Sequence, residues 1–172
     1  MRVTSAEWSD LDTLADMWVD LASGQRAFGS HLGADANRTV VRESMAYHLS
    51  VGGVLVARDE ATETEADDDD HKRDIAGFVM FDVETGAYEQ DITRGTVRNL
   101  FVVPDRRDSG IGSRLLDAAE TELRDAGVGA IALDVMAAND SARRFYRRHG
   151  YSPHRIELEK SMENDTHSKE DG

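Results

Sequence analysis

The strongest constraint on the fold is the alternation of strand-like and helix-like segments in the second half of the chain. Residues 96–103 read as a strand, 110–126 as a helix with one apolar face, and 130–135 as a buried strand. A short helix over 140–149 follows, and 155–160 is predicted to be a last strand. This alternation predicts a mixed sheet with helices on both faces.

The first half supplies the antiparallel part of that sheet. It contains a predicted strand over 2–6, a helix with apolar positions at the 3.6-residue period, a second helix over 36–50, and a hairpin formed by 54–57 and 75–83. We therefore expect one α/β (α+β) domain over 1–160, with six or seven strands and about four helices. An acidic loop (61–73) lies within it, and a polar, disordered tail (161–172) follows.

Composition narrows the class of protein. The net charge is −14, and only three of the twenty basic residues are lysine, which favours a salt-adapted (halophilic) proteome over an ordinary acidic protein. A surface with this much negative charge is not expected to bind nucleic acid.

No apolar run is long enough to span a membrane and the first residues do not resemble a signal peptide, so we expect a cytoplasmic protein. There is no cysteine, which excludes a cysteine nucleophile.

Two glycines suggest an anion-binding site at the start of the 110–126 helix. Gly110 and Gly112 open this helix directly after a loop that leaves a strand. Glycine lets the backbone approach a ligand closely, and a helix N-terminus favours negative charge. Arg106 and Arg107 precede the glycines, and residues 93–150 carry a net charge of +2 within this acidic chain. A phosphate or pyrophosphate is the predicted ligand.

Other nucleotide motifs fit these residues less well. No Lys-Ser/Thr follows the glycines, which excludes a P-loop. A dinucleotide-binding fingerprint would need a third glycine, where this chain has Leu115, and a tighter turn from the strand.

Two motifs together resemble the GNAT superfamily of acetyltransferases. Arg107-x-x-Gly110-x-Gly112 is similar to that family's coenzyme A pyrophosphate loop, although Asp108 stands where many members have glycine. The run from Asn139 through Ala142 and Tyr146 to Gly150-Tyr151 is similar to the family's second motif. The resemblance covers roughly residues 2–160.

The resemblance implies acetyl-coenzyme A (acetyl-CoA) as co-substrate, held between the 96–103 and 130–135 strands, which would splay apart there. It assigns Tyr146 as the general acid that protonates the leaving thiolate, and transfer to an amine would be direct, in a ternary complex. Asn139 is either a cofactor contact or a helix cap, and Arg143 and Arg147 reach either phosphate or water. The implied cofactor contacts are Phe101, Val102, Val103, Arg107, Asp108, Ser109, Gly110, Ile111, Gly112, Ser113 and Asn139.

Several assignments stay open at this stage. The acceptor site would use Arg26, Phe28 and His31, by position in the family. The general base is one of Asp82, Glu84 and Asp134, a water relay or the solvent, and no metal site is predicted. The acceptor is a small molecule or a protein amine, and a homodimer is compatible with the family. The alternative function is a non-catalytic sensor or structural module that binds an acyl-CoA.

Overall fold

The computed structural model describes residues 1–59, 75–86 and 88–162 of the 172-residue chain. Within this part there are five strands and four α-helices. In chain order they are β1 (Arg2–Ser5), α1 (Leu11–Gln25), α2 (Arg38–Ser50), β2 (Val54–Arg58), β3 (Ile75–Val83), β4 (Arg94–Val102), α3 (Ile111–Asp125), β5 (Ala130–Leu133) and α4 (Asp140–Arg148). The acidic loop predicted over 61–73, and the tail beyond residue 162, lie outside the described residues.

The strands form one sheet in the order in which they occur along the chain. β1, β2, β3 and β4 are antiparallel neighbours, and β5 pairs with β4 in parallel. The parallel pair is joined by the crossover helix α3, as the alternation of strands and helices predicted. The sheet is therefore mixed, and the predicted fold class is confirmed.

Both faces of the sheet are covered, so β2 is apolar from Val54 to Ala57 and β3 from Ile75 to Phe81. Phe78 and Met80 of β3 point toward α1 and α2, where Leu14 and Met45 are fully buried. The intervening residues of β3 point to the opposite face and pack with α3. Alternating side chains of β3 thus contribute to two separate hydrophobic cores, one on each face of the sheet. This is why β2 and β3 appear in the sequence as nearly continuous hydrophobic runs.

The predicted strand number was too high. Residues 155–160 form no strand, and the described part of the sheet has five strands instead of six or seven. The alternating pattern in this segment is real, but a strand exists only where a neighbour accepts its backbone hydrogen bonds. No described residue of the chain offers that neighbour to 155–160.

None of the helices in the described residues has the length and apolar character required to cross a bilayer.

Gly77 on β3 is packed too closely for any larger residue. A Cβ atom there would lie 2.5 Å from the Phe101 carbonyl oxygen on β4 and 3.1 Å from a Leu115 methyl group. We predict that Gly77→Ala lowers the free energy of unfolding by about 1–3 kcal/mol, because β4 would have to shift. Urea denaturation measures this loss.

Gly24→Ala is the matched control for Gly77→Ala. Gly24 lies in α1, and no heavy atom of a neighbouring group lies within 4 Å of the point that a Cβ would occupy, so alanine should raise stability by up to about 1 kcal/mol. An equal effect of the two substitutions would contradict the close β3–β4 contact.

Candidate active site

β5 pairs with only part of β4. The parallel pairing joins Arg94–Val97 to Ala130–Leu133 and then stops. β4 continues to Val102, still paired with β3, so its second half has a neighbour on one side only. The carboxyl end of this strand pair is therefore an opening in the sheet, with backbone groups of β4 along one wall.

The β3–β4 register tells which of these backbone groups face the opening. The Val103 N–H donates to the Ala76 carbonyl at 2.9 Å, which makes this residue pair a hydrogen-bonded one. Since such pairs alternate in antiparallel sheets, Phe101 is also turned toward β3. Leu100 and Val102, between them, present their N–H and C=O groups to the opposite side. Among residues 101–103, it is thus Val102 whose backbone can contact a ligand.

Helix α3 begins at this opening without a capping side chain. Its N-cap residue Gly110 has φ +82°, and no side chain of a described residue accepts a hydrogen bond from the first turn. The first hydrogen bond of the helix runs from Arg114 N–H to the Gly110 carbonyl, so the N–H groups of Ile111, Gly112 and Ser113 precede the intrahelical ladder. Asp108 also has a positive φ of 58°, a rare conformation for a non-glycine residue. An uncapped first turn of this kind suits an anion.

The two arginines before α3 have different surroundings. Arg106 donates to both carboxylate oxygens of Asp59, at 2.6 and 2.8 Å, and this pair ties the loop to the end of β2. Arg107 instead donates through Nε to the Val102 carbonyl at 3.0 Å, and its guanidinium lies 5.7 Å from the centre of the Phe101 ring. Arg107 is therefore held at the opening with its two terminal nitrogens uncommitted to any described residue.

Helix α4 is fixed against the first turn of α3. The Phe145 ring lies 3.5 Å from the position that a Cβ on Gly112 would take, which is an ordinary van der Waals distance, so the ring packs directly against the first turn. One turn later, His149 donates through Nδ1 to the Phe145 carbonyl at 2.9 Å, which leaves Nε2 to accept from the Ser113 hydroxyl at 3.0 Å. The Ser113 hydroxyl is thus occupied, and its backbone N–H remains for a ligand.

Tyr146 lies beside this contact, with its half-buried ring packed against the core between the sheet and α3. The ring packs edge-on against Phe145 and Tyr151, at 5.1 and 5.8 Å between centroids. Burial raises the pKa of Tyr146 from 10.0 to about 12, because the phenolate would lose its hydration. No described residue forms a hydrogen bond with its hydroxyl, whereas the Tyr151 hydroxyl donates to Glu120 at 2.9 Å. Tyr146 therefore stays neutral at any physiological pH.

Asn139 caps α4, and Arg143 is turned to the backbone. The Asn139 side-chain oxygen accepts from the Ala142 N–H at 3.0 Å, which leaves its amide nitrogen free of the described residues. Arg143 donates to the Ala137 carbonyl at 3.1 Å and lies 3.4 Å from Asp140, and Arg147 is exposed. The prediction that Asn139 caps a helix is confirmed. Its contact with a cofactor stays a prediction.

Two of the three carboxylates considered as general base already have partners. Asp82 contacts His48 at 3.0 Å and accepts from Nε and Nη2 of Arg98 at 3.0 and 3.2 Å. Glu84 accepts from the Thr96 hydroxyl at 2.7 Å and lies 3.5 Å from Arg94. Asp134 is exposed, directly after β5. Because the oxygens of Asp82 and Glu84 are already engaged by neighbouring side chains, these two residues are poor candidates.

The cluster of His48, Asp82 and Arg98 was not predicted as a unit. His48 is buried near the end of α2 and donates through Nδ1 to the Ser44 carbonyl at 2.7 Å. Arg98 is the extra residue of a β-bulge in β4, since Met80 pairs with Asn99 and Phe81 with Val97. One feature of the sequence could have indicated this cluster. Asp82 lies on the same face of β3 as the core residues Phe78 and Met80, where a carboxylate needs a polar partner.

The residues expected to bind the acceptor lie in the loop after α1. A single 3-10 turn contains Arg26 and Phe28, and Gly29 ends it with φ +95° near the Met136 methyl group, beyond the end of β5. Arg26 donates weakly to the Leu32 carbonyl at 3.4 Å. His31 contacts both oxygens of Glu159 at 2.9 and 3.0 Å. The structure thus brings this loop to the end of β5, and binding of an acceptor there stays a prediction.

In the described ranges, no group of three or more His, Asp or Glu side chains is arranged to hold a metal ion.

The raised pKa of Tyr146 makes a testable prediction about stability at high pH. Below about pH 10 the phenol is neutral in both the folded and the unfolded chain, so its contribution is fully present. Above that, the unfolded chain ionises first, and the free energy of unfolding falls until the folded pKa of about 12 is passed. Phenolate absorbance of the folded protein should show a transition near pH 12 that Tyr146→Phe removes.

The exposed Tyr47 provides a control for this titration. Tyr47→Phe should leave the transition near pH 12 in place. A Tyr146→Phe protein whose absorbance change near pH 12 equals that of the parent would contradict the assignment.

Comparison with known proteins places this architecture in a family. A model of the acetyltransferase (GNAT) family matches residues 35–151. A mycothiol acetyltransferase of Propionibacterium freudenreichii is 39% identical over 100 residues, which cover 58% of this chain and 28% of that protein. An aminoalkylphosphonate N-acetyltransferase of Salmonella typhimurium is 37% identical over 68 residues, which cover 40% of this chain and 44% of that protein. The matched stretches thus span less than half of these relatives' own length.

Solved structures share the fold over nearly the whole chain. A mutant of a Bacillus halodurans protein superposes with a TM-score of 0.74 at 20% identity, covering 94% of this chain and 99% of that one. A GCN5-related N-acetyltransferase from Ralstonia eutropha gives 0.68 at 22% identity, covering 94% and 97%. The resemblance inferred from the two motifs is confirmed: this chain belongs to the GNAT family of acetyltransferases.

Proposed function

We propose that this protein transfers the acetyl group of acetyl-CoA directly to an amine acceptor within a ternary complex. The observation that carries the proposal is the uncapped first turn of α3 at the opening between β4 and β5. A diphosphate there would be bound by the N–H groups of Ile111, Gly112 and Ser113 and by the positive end of a 15-residue helix. Arg107 is in place to add a permanent charge.

The same opening fits the acyl end of the molecule. Acetyl-CoA, when bound, supplies an acetyl group activated as a thioester. The N–H groups of Leu100 and Val102 face away from β3, so either can donate to the acyl oxygen as negative charge develops on it. These donors are held by the β3–β4 ladder and need not reorganise during the reaction.

Tyr146 completes the chemistry at the leaving group. As the amine nitrogen bonds to the acyl carbon, the carbon–sulfur bond breaks and the thiolate needs a proton. The half-buried phenol of Tyr146 holds its proton up to a pH of about 12, so it can donate at working pH. Solvent is the simplest final destination for the proton lost by the amine, because Asp82 and Glu84 are engaged. With no cysteine in the chain, no thiol can carry the acyl group between two half-reactions.

Asp82 and Glu84 are both bound by other side chains, so neither is free to act as a base. This observation favours a second candidate function, a module that binds acyl-CoA without turnover. Both candidates require coenzyme A binding at α3, and they differ only in chemistry. A thiol-release assay over a panel of amines separates them, since a sensor releases no thiol with any acceptor while binding coenzyme A normally in calorimetry.

Tyr146→Phe tests the catalytic role directly. We predict that the turnover number falls about 10²–10⁴-fold, because the departing thiolate loses its proton donor. The Michaelis constant for acetyl-CoA should change little, since the ring and its packing remain. Tyr47→Phe removes a hydroxyl from the exposed face of α2 and should leave turnover unchanged. Equal turnover numbers for the Tyr146→Phe and parent proteins would eliminate the general-acid role.

Arg107 and Arg106 provide a matched pair for cofactor binding. Arg107→Ala should weaken coenzyme A binding about tenfold or more in calorimetry, because a charge-assisted contact to phosphate is lost. Arg106→Ala breaks the pair with Asp59 on the opposite side of the loop and should have a smaller effect. A larger loss for Arg106→Ala would show that the phosphate contacts lie elsewhere on the loop.

A further inference from the structure

Arg98 lies at the point where β4 leaves β5. The last residue pair of the two strands is Val97 with Leu133, and Arg98 is the next residue of β4. Its side chain contacts Asp82, so it lies on the face of the sheet that α1 and α2 cover. The side chain is 48% exposed. A cation is therefore accessible to solvent at the edge of the opening.

The guanidinium of Arg98 is held along one edge and has donors left on another. Nε and Nη2 donate to the two carboxylate oxygens of Asp82 at 3.0 and 3.2 Å. No described residue accepts a hydrogen bond from Nη1. Because a guanidinium carries five N–H groups in a planar fork, the edge formed by Nη1 and Nη2 can bind a second oxyanion through two hydrogen bonds.

The contacts of His48 indicate that it is charged in this cluster. Its Nδ1 lies 2.7 Å from the Ser44 carbonyl oxygen, and its Nε2 lies 3.0 Å from a carboxylate oxygen of Asp82. A carbonyl and a carboxylate only accept hydrogen bonds, so both contacts are satisfied when each ring nitrogen carries a proton. This geometry fits the imidazolium form of His48.

The cluster then has a net charge of one positive unit. His48 and Arg98 contribute two positive charges, and Asp82 contributes one negative charge. The adjacent pair of Glu84 and Arg94, which lie 3.5 Å apart, adds no net charge. An oxyanion is therefore attracted to this place, although the whole chain has a net charge of −14.

The position of Arg98 along β4 corresponds to the acceptor end of the opening. The proposed diphosphate site is at the start of α3, which follows β4 in the chain, and the proposed donors to the acyl oxygen are the N–H groups of Leu100 and Val102. The cofactor would thus occupy the part of the opening nearer α3. An amine that attacks the acyl carbon has to approach from the other end, where Arg98 lies.

We propose that Arg98 binds an anionic group of the acceptor, so that the preferred acceptors are small amines that also carry a carboxylate or a phosphate. This inference rests on the proposed acetyl transfer and names the class of its acceptor. Two charge-assisted hydrogen bonds from the guanidinium would bind the oxyanion. The amine of the same molecule would remain free to attack the acyl carbon. The proposal assigns this role to Arg98 alone.

Matched acceptors test the proposal in a thiol-release assay. β-Alanine and O-phosphoethanolamine carry an oxyanion close to a primary amine, and propylamine is their neutral counterpart. We expect the parent to show a higher kcat/KM with at least one of the anionic amines than with propylamine. Arg98→Gln should reduce this preference at least about tenfold, mainly through KM, because hydrogen bonds to a charged group are lost.

The preference is a ratio measured within one protein, so a loss of active protein does not change it. Its change between parent and variant is also independent of the different basicities of the amines. A preference that is unchanged in Arg98→Gln would overturn the proposal.

Arg42 provides the matched control for Arg98. It donates to Asp12 at 2.8 Å, between α2 and α1, and its side chain is 41% exposed. Arg42→Gln therefore removes an arginine from a similar pair elsewhere on the surface and should leave the preference for anionic amines unchanged. An equal loss of preference in Arg42→Gln would overturn the proposal, since the effect would then come from the overall charge.

Calorimetry separates this inference from the proposed catalysis. β-Alanine and O-phosphoethanolamine, titrated into protein saturated with coenzyme A, report acceptor binding without turnover. Binding to the parent that Arg98→Gln weakens about tenfold supports the anion site, even where no amine releases thiol from acetyl-CoA. That combination would contradict the proposed function alone. Thiol release without preference for anionic amines, or no binding of either anionic amine to the parent, would overturn the anion site.

Discussion

The site depends on one feature of the sheet, the partial pairing of β4. From Gly95 to Val102 β4 is held by β3, apart from the bulge at Arg98, and this pairing fixes the direction of the N–H and C=O groups of the paired residues. On its other side, β5 accompanies it for four residues only. Beyond that point the N–H groups of Leu100 and Val102 face away from β3 with no described strand beside them, which is costly in a sheet interior and useful beside a polar ligand. The opening exists because a parallel neighbour ends early.

Packing around this opening sets the chemistry of the groups near it. Phe145 lies against the first turn of α3 beside Gly112, and the next residue, Tyr146, is half-buried against the same core. Burial keeps the Tyr146 phenol neutral far above physiological pH. The candidate anion site and the candidate proton donor are therefore linked by the contact between α3 and α4. A change in that contact would affect both.

The elements of the fold were largely predictable from the sequence, and their pairing was not. The crossover from β4 through α3 to β5 follows from periodicity and glycine positions, because a parallel strand pair needs a long connection. The same reasoning predicted a strand over 155–160 and was wrong for this chain, since periodicity reports which face is apolar and not which neighbour is present. The bulge at Arg98 was equally hidden, because it is defined by register alone.

Within the candidate site, the sequence predicted which residues could have a role but not which residues they contact. The helix-capping role of Asn139 and the glycines before α3 could be predicted, since they act on backbone a few residues away. Arg106 and Arg107 are adjacent and chemically identical, yet one is bound to Asp59 and the other to the Val102 carbonyl. Asp82 could be proposed as a base until His48 and Arg98 were found beside it. The contacts of Arg106 with Asp59 and of Asp82 with His48 and Arg98 join residues that are far apart in the chain.

The sequence by itself determined the family, the crossover and the candidate anion-binding helix, since each is encoded in local spacing of glycine, apolar and capping residues. Tertiary structure alone decided which arginine pairs with a carboxylate and which lies at the opening, which backbone groups face that opening, and how far the phenol of Tyr146 is buried. The physical reason is that charge pairing, backbone direction and burial depend on the neighbour across the sheet or between helices. That neighbour is set by the packing of the whole domain.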